Sequence, residues 1–155
     1  MSAMIPESRL IQSELTLRDL SLPDDVLLAK KSLLRWIALS LGMIAPNESR
    51  TLLLDILDVL FEFHVKNEHP TTKDIVSKLE DKSKSRQNPK AIYYHLQRLM
   101  NAGILARKKG RYFLGEGDEK GLNHVFHSIY LKKTDQAFSK IGKALEKLES
   151  SYNKV

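Results

Sequence analysis

Residues 88–103 read NPKAIYYHLQRLMNAG, and their pattern decides the fold. Asn88 is a side chain that caps helix starts. Pro89 suits the first helical position, where a missing N–H has no intrahelical partner to lose, and Gly103 accepts the left-handed conformation that closes a helix. Between these ends Ile92, Leu96, Leu99 and Met100 recur at three- and four-residue intervals, which gathers them on one face. Lys90, Tyr94, Gln97, Arg98 and Asn101 fall opposite. Tyr93, at the edge of the apolar stripe, is assigned to the core. The spacing predicts a helix over 88–102 with an apolar back and a front of long hydrogen-bonding side chains.

Immediately after Gly103 the period changes. ILARK, then Lys109-Gly110, then RYFLG reads as a β-hairpin over 104–115, with Gly110 supplying the positive φ of a tight turn. Arg107, Lys108, Lys109 and Arg111 cluster at its tip, where an anionic partner would relieve their mutual repulsion. Upstream, Thr71 and Asp74 have capping-box spacing, and Ile75, Val76 and Leu79 give a narrow apolar stripe, predicting a short helix over 71–81. A polar, basic loop, KSKSRQN, joins it to the next helix. Before it, Pro46 and Asn47 break the chain and cap a helix over 48–67. Its inner face is Leu52, Leu53, Ile56, Leu57, Leu60 and Phe63, with Asp55, Asp58 and Glu62 expected toward water.

Outside this block the reading is coarser. Residues 1–20 form an arm expected to be disordered or packed on a partner. In 21–45, Ser21 with Pro23 and Asp24 looks like a helix start, and one helix to about Leu41, stopped by Gly42, is predicted. Val26, Leu27, Leu28, Leu33, Leu34, Trp36, Ile37, Leu39 and Leu41 leave it apolar nearly all round, as a central core helix or a dimer interface requires. Residues 117–155 hold one long helix from Asp118 to about Tyr152, or two with a bend near 132–134. Leu122, Val125, Phe126 and Ile129 make a first apolar face. Phe138, Ile141, Leu145, Leu148 and Tyr152 then follow at 3-4-3-4 spacing, a short heptad seam out of phase with it. The first half should pack on its own domain and the second on a partner.

Charge separates these regions. The 155-residue chain carries +6 overall, yet residues 70–117 alone hold 11 basic and 4 acidic side chains, a net +7. A localised excess points to a polyanion, whereas a uniform one serves solubility. The 42% apolar and 28% charged content is that of an ordinary globular protein. With no cysteine, disulfides, thiol catalysis and cysteine–zinc sites are excluded, consistent with an expected cytoplasmic setting. The most apolar run, 36–45, is too short to span a bilayer, and a membrane span or secretory leader is not expected.

The order of helices 48–67, 71–81 and 88–102 and hairpin 104–115 resembles the winged helix-turn-helix domain of prokaryotic transcription regulators. The stretch carrying the resemblance is IYYHLQRLMNAGILARKKGRYFLGEG. Its helix exit, Leu96, Leu99, Gly103, Ile104 and Leu105, is similar to that of ArsR-, MarR- and PadR-like proteins. The resemblance covers roughly 46–116 and matches no single family. It implies a mainly α fold with a small β-hairpin wing, flanking dimerisation helices, and duplex DNA as partner. The ArsR-type cysteine/histidine metal box is missing, so metal sensing is not carried over.

On that reading Lys90, Tyr94, Gln97 and Asn101 face a major groove, where Gln and Asn can grip adenine bidentately, with Arg98 beside them. Lys84, Arg86 and Gln87 lie just before the helix, and Thr71, Thr72 and Lys73 at the preceding helix start, as phosphate contacts. Arg107, Lys108, Lys109 and Arg111 put the wing on the backbone or in the minor groove. Leu34, Trp36, Phe138, Ile141, Leu145 and Leu148 are the expected dimer contacts. The competing readings are a protein–protein interaction module within a larger complex, and an RNA-binding protein. No enzyme activity, cofactor or metal is expected. His64, His69, His95, His124 and His127 are scattered, there is no phosphate-binding glycine loop, and the Asp24/Asp25 and Asp55/Asp58 pairs suit helix starts and solvated faces better than acid–base work. An effector is conceivable, with the apolar segment 22–41 as the first place to seek its pocket.

Overall fold

The computed structural model describes residues 5–117 and 121–154. It is mainly helical, with one two-stranded antiparallel hairpin, an arrangement compatible with a winged helix. In chain order come a 3-10 turn (Glu7–Leu10), α1 (Asp24–Leu27), α2 (Lys30–Ser40), α3 (Leu52–Val65), α4 (Thr72–Ser83), α5 (Pro89–Asn101), β1 (Leu105–Lys108), β2 (Arg111–Leu114) and α6 (Leu122–Tyr152).

The core gathers around α3, whose Ile56, Leu57 and Val59 are fully buried, with Ile75 and Leu79 of α4 and Ile92, Leu96 and Leu99 of α5. The α4 and α5 positions, with Ile56 and Leu57, are among those that helical spacing selects, whereas Val59, like buried Leu54 and Phe61, lies outside the inner face expected of α3, and Leu52 and Phe63 are only half-buried. Leu105, Tyr112 and Leu114 of the hairpin and Val125 of α6 close the cluster, and Phe61 meets Phe126 edge-on at 5.6 Å. The first half of α6 thus packs on its own domain, fixed further by the Tyr130 hydroxyl, which donates to Leu41 O at 2.8 Å. α6 is one unbroken helix of 31 residues, about 46 Å long. The expected helix start at Asp118 lies outside the described residues.

Several expectations change. The single helix over 21–41 is two, α1 and α2, because Ala29 is extended (φ −131°, ψ 132°). Ser21 does not cap; its carbonyl accepts the Trp36 indole N–H at 2.8 Å. The break leaves Leu28 85% exposed, so the all-round apolar pattern does not mean all-round burial. Leu34, expected at a dimer contact, is 9% exposed and belongs to the chain's own core, and Trp36 is engaged by Ser21. The third helix starts at Leu52 rather than 48, since Asn47 is left-handed (φ 67°) and Glu48 closes a turn by accepting from Ala45 N. Nor is the arm free. Arg18 Nη1 donates to Leu39 O (2.7 Å) and Ile44 O (3.0 Å), placing a cation on a last-turn carbonyl of α2, where the helix dipole favours it, and on the loop beyond.

Asp58 and Glu62 do not simply face water. Asp58 pairs with Lys30 (3.3 Å) and Lys82 (3.1 Å), and Glu62 with Lys82 (2.7 Å), Lys66 (3.2 Å) and Lys78 (3.9 Å). The Lys82 and Lys66 ammonium groups pull the Glu62 carboxyl down to about 2. This network links α3 to α4 and neutralises two lysines of the basic block, Lys78 and Lys82.

Candidate nucleic-acid interface

α5 is framed as its ends require. The Asn88 side chain accepts from Lys90 N at 3.0 Å, and Pro89 occupies the first turn. At the other end Gly103 is left-handed (φ 76°). Ile104 N donates to Leu99 O and Gly103 N to Met100 O, both at 3.0 Å, a Schellman closure that satisfies two terminal carbonyls and turns the chain directly into β1. With its back buried, α5 presents Lys90, Tyr94, Gln97, Arg98 and Asn101 outward, all exposed. Gln97 Nε2 donates to Asn101 Oδ1 at 3.0 Å. The Arg98 guanidinium sits 5.7 Å from the Tyr94 ring centre.

Tyr93 is on this surface too, 54% exposed against 59% for Tyr94. Its assignment to the core is wrong because the buried stripe is only three residues wide along the helix. The missed signal is its spacing: three residues from Lys90 and four from Gln97, it shares their row. Next to it, half-buried His95 has its imidazole pKa pushed down, first by burial and then by the Arg98 charge.

The loop before α5 is divided in its use. Lys84 and Arg86 are exposed, with Lys84 in the left-handed region (φ 58°). Gln87 is not a free contact residue. Its backbone N–H donates to Glu80 Oε2 (3.4 Å) and its Nε2 to Ser83 Oγ (2.9 Å), which makes it a strut on the end of α4. At the start of α4 the capping box forms. Thr71 Oγ1 accepts from Asp74 N (3.2 Å) and Asp74 Oδ2 from Thr71 N (3.0 Å), and these bonds hold the Asp74 carboxyl below its ordinary value. Thr72 Oγ1 donates to the Tyr112 hydroxyl at 3.2 Å. Both threonine hydroxyls therefore serve internal structure, and of the three residues expected here Lys73 is the one that is exposed.

The hairpin pairs Leu105 with Leu114 through Lys108 with Arg111. Its turn has positive φ at both Lys109 (51°) and Gly110 (78°), the two-residue geometry whose twist matches the strands. Tyr112 N donates to Pro70 O (2.8 Å), Arg111 Nη1 to His69 O (2.9 Å), and Phe113 stacks on His69 at 4.1 Å. Three contacts thus bind β2 to the approach of α4. Arg107 lies 5.3 Å over Tyr112 and Lys108 5.8 Å over Phe113. Arg111 is tied to the body of the fold and Lys108 to the chain just after β2, its Nζ donating to Glu116 O at 3.4 Å, while Lys109 stands exposed at the tip.

On α6, Phe138, Ile141, Leu145, Leu148 and Tyr152 are all exposed among the described residues, a run at heptad spacing. Among the described residues there is no group of three or more His, Cys, Asp or Glu placed to hold a metal, and no helix long and apolar enough to cross a membrane.

Comparison of the chain with protein-family models, with curated proteins and with solved structures returned no match, so the functional reading rests on this geometry and chemistry.

Proposed function

We propose that the chain is a winged helix-turn-helix protein that binds duplex DNA with sequence preference and acts as a homodimeric transcription regulator. The observation that carries this reading is the outer face of α5. Lys90, Tyr94, Gln97, Arg98 and Asn101 stand exposed on a 13-residue helix, about 20 Å long, whose back is locked by Ile92, Leu96 and Leu99. Such a helix fits a major groove, and its amides are the groups that read adenine there. Lys84 and Arg86 at its entrance and Lys108 and Lys109 on the hairpin supply phosphate contacts. The hairpin acts as the wing, on the backbone or in the minor groove. The α6 seam joins two copies, so the preferred site is near-palindromic, with half-sites about one helical turn apart.

A second reading draws on the adjacent exposed rings of Tyr93 and Tyr94, which could stack unpaired bases of RNA. Selection from random duplex and single-stranded pools separates the two. The DNA-regulator reading expects an enriched near-palindromic duplex. Enrichment of single strands alone would favour the RNA reading, and weak, purely salt-sensitive binding to both would leave the basic face to an acidic protein partner.

A further inference from the structure

His95 belongs neither to the buried back of α5 nor to its outer row. It is half-buried, and its Nδ1 is shut off from solvent with no hydrogen-bond partner among the described residues. No other described histidine has a buried nitrogen in that condition. The Tyr94 ring stands against it edge-on, with centroids 5.4 Å apart. Three charges act on the imidazole: Arg98, one turn further along α5, and Glu48 and Arg50, on the turn that leads into α3. His95 therefore lies where the flank of α5 faces residues 48–50.

This setting accepts a neutral imidazole and opposes the cation. A neutral ring can leave Nδ1 as an acceptor, whereas an imidazolium carries an N–H on both nitrogens. The new N–H would point into the protein with nothing to receive it. Two of the three neighbouring charges are positive. The one carboxylate is already engaged. Glu48 Oε2 accepts from Ala45 N at 3.1 Å, and the Glu48 carbonyl, which accepts from Arg35 Nη2 at 2.7 Å, holds the turn in place. Burial first, and Arg98 second, keep the imidazole pKa below 6.5. The way out is short. Tyr94 and Arg98 on either side are exposed, so rotation about the His95 Cα–Cβ bond carries the ring into water with the α5 backbone unmoved.

We propose that His95 is a proton-operated latch between α5 and the turn at 48–50. Neutral, it fills the flank and holds the turn against the helix. Protonated, it swings outward, frees the turn and adds a cation beside Tyr94 and Arg98. The ligand of this site is the proton itself. A polyanion laid on α5 favours the outward, charged ring, so proton uptake and polyanion binding strengthen each other. That consequence rests on the proposed DNA-binding function; the latch does not.

The test follows the isotope-labelled full chain by NMR, without nucleic acid, from about pH 7.5 to about pH 5. The His95 ring is expected to titrate below 6.5, with the backbone amides of Glu48, Ser49 and Arg50 shifting at the same midpoint. In His95→Gln those amide shifts should vanish, and an unchanged spectrum elsewhere shows that the variant is folded. His95→Phe, which keeps a flat ring in the flank, is a second variant with the same expectation. A His95 midpoint at or above 6.5, amides at 48–50 that titrate apart from it, or shifts there that survive both substitutions overturns the proposal. A separate arm measures a random-sequence duplex at constant salt. The gain in affinity from neutral to acid pH should be about threefold larger in the wild type than in either variant, and an equal gain in all three chains overturns the coupling. Failure to bind duplex at any pH would count against the DNA-binding reading alone, since the ring and amide titrations decide the latch.

Discussion

Gln97 and Asn101 are joined, the Gln97 amide nitrogen donating to the Asn101 side-chain oxygen at 3.0 Å across one turn of α5. The bond orders two flexible amides before any partner arrives, which lowers the conformational entropy lost on binding. Gln97→Ala is expected to cost about 1–3 kcal/mol at the best duplex site and to relax preference at one position, with the salt dependence unchanged. Competition between matched and mismatched duplexes over a salt series checks this. A uniform loss on every sequence would place Gln97 on the phosphate backbone instead.

The hairpin cations should separate by function. Lys109→Ala is expected to lower the salt slope of polyanion binding by about one unit with thermal stability unchanged, because its side chain is exposed at the tip. Arg111→Ala removes the bond to His69 O and should lower stability by about 1 kcal/mol. Chemical denaturation of the two variants beside the wild type distinguishes them.

Leu145→Glu places a charge in the middle of the exposed α6 seam. The expected outcome is a monomer by sedimentation, with the unfolding midpoint measured at low concentration close to that of the wild type. Leu96→Ala provides the contrast. At 1% exposure it should cost about 2–5 kcal/mol whatever the oligomeric state. A wild-type chain that sediments as a monomer at all concentrations would remove the dimer from the proposal.

Acid stability should depend on Glu62. Its folded carboxyl is held at about 2 against an ordinary 4.5. The unfolded chain therefore takes up the proton first, and the stabilisation present above about 4.5 is lost as pH falls toward 2. Glu62→Gln should flatten the stability profile across that window. His95 works in the same direction at higher pH. Its depressed folded pKa means that stability falls as pH drops through the ordinary histidine value of 6.5, and His95→Gln should remove that component.

Gly42 (φ 74°) tests the arm. A Cβ there would collide with the Thr16 side chain, so Gly42→Ala should push the arm away from α2 and break the Arg18 contacts to Leu39 and Ile44. Faster amide exchange and proteolysis confined to the residues before α1 are the expected readouts.

What the sequence made legible is what local rules control. The frame of α5, the capping box at Thr71 and Asp74, the hairpin and the inner half of α6 all follow from caps, glycines and period. The misread parts depend on contacts between distant segments. Whether Leu34 is covered by a second copy or by α3 cannot be read from its spacing along α2. Gln87 and Thr72 are donors in polar stretches, and only the folded chain shows that Ser83 and Tyr112 take up their hydrogen bonds. Tyr93 was misplaced for a local reason, an apolar stripe taken as too wide.

Among the described residues, four other than glycine adopt positive φ: Asn47, Asn67, Lys84 and Lys109. Asparagine is at ease there, whereas lysine is held against its backbone preference at a cost of about 1–2 kcal/mol. Both strained lysines lie in the basic block, one at the entrance to α5 and one at the hairpin tip. Glycine or asparagine at either position would make a more stable protein with one cation fewer. The chain gives up thermodynamic comfort at two exposed corners of its basic block, so Lys109→Asn should fold more tightly and hold polyanions less well.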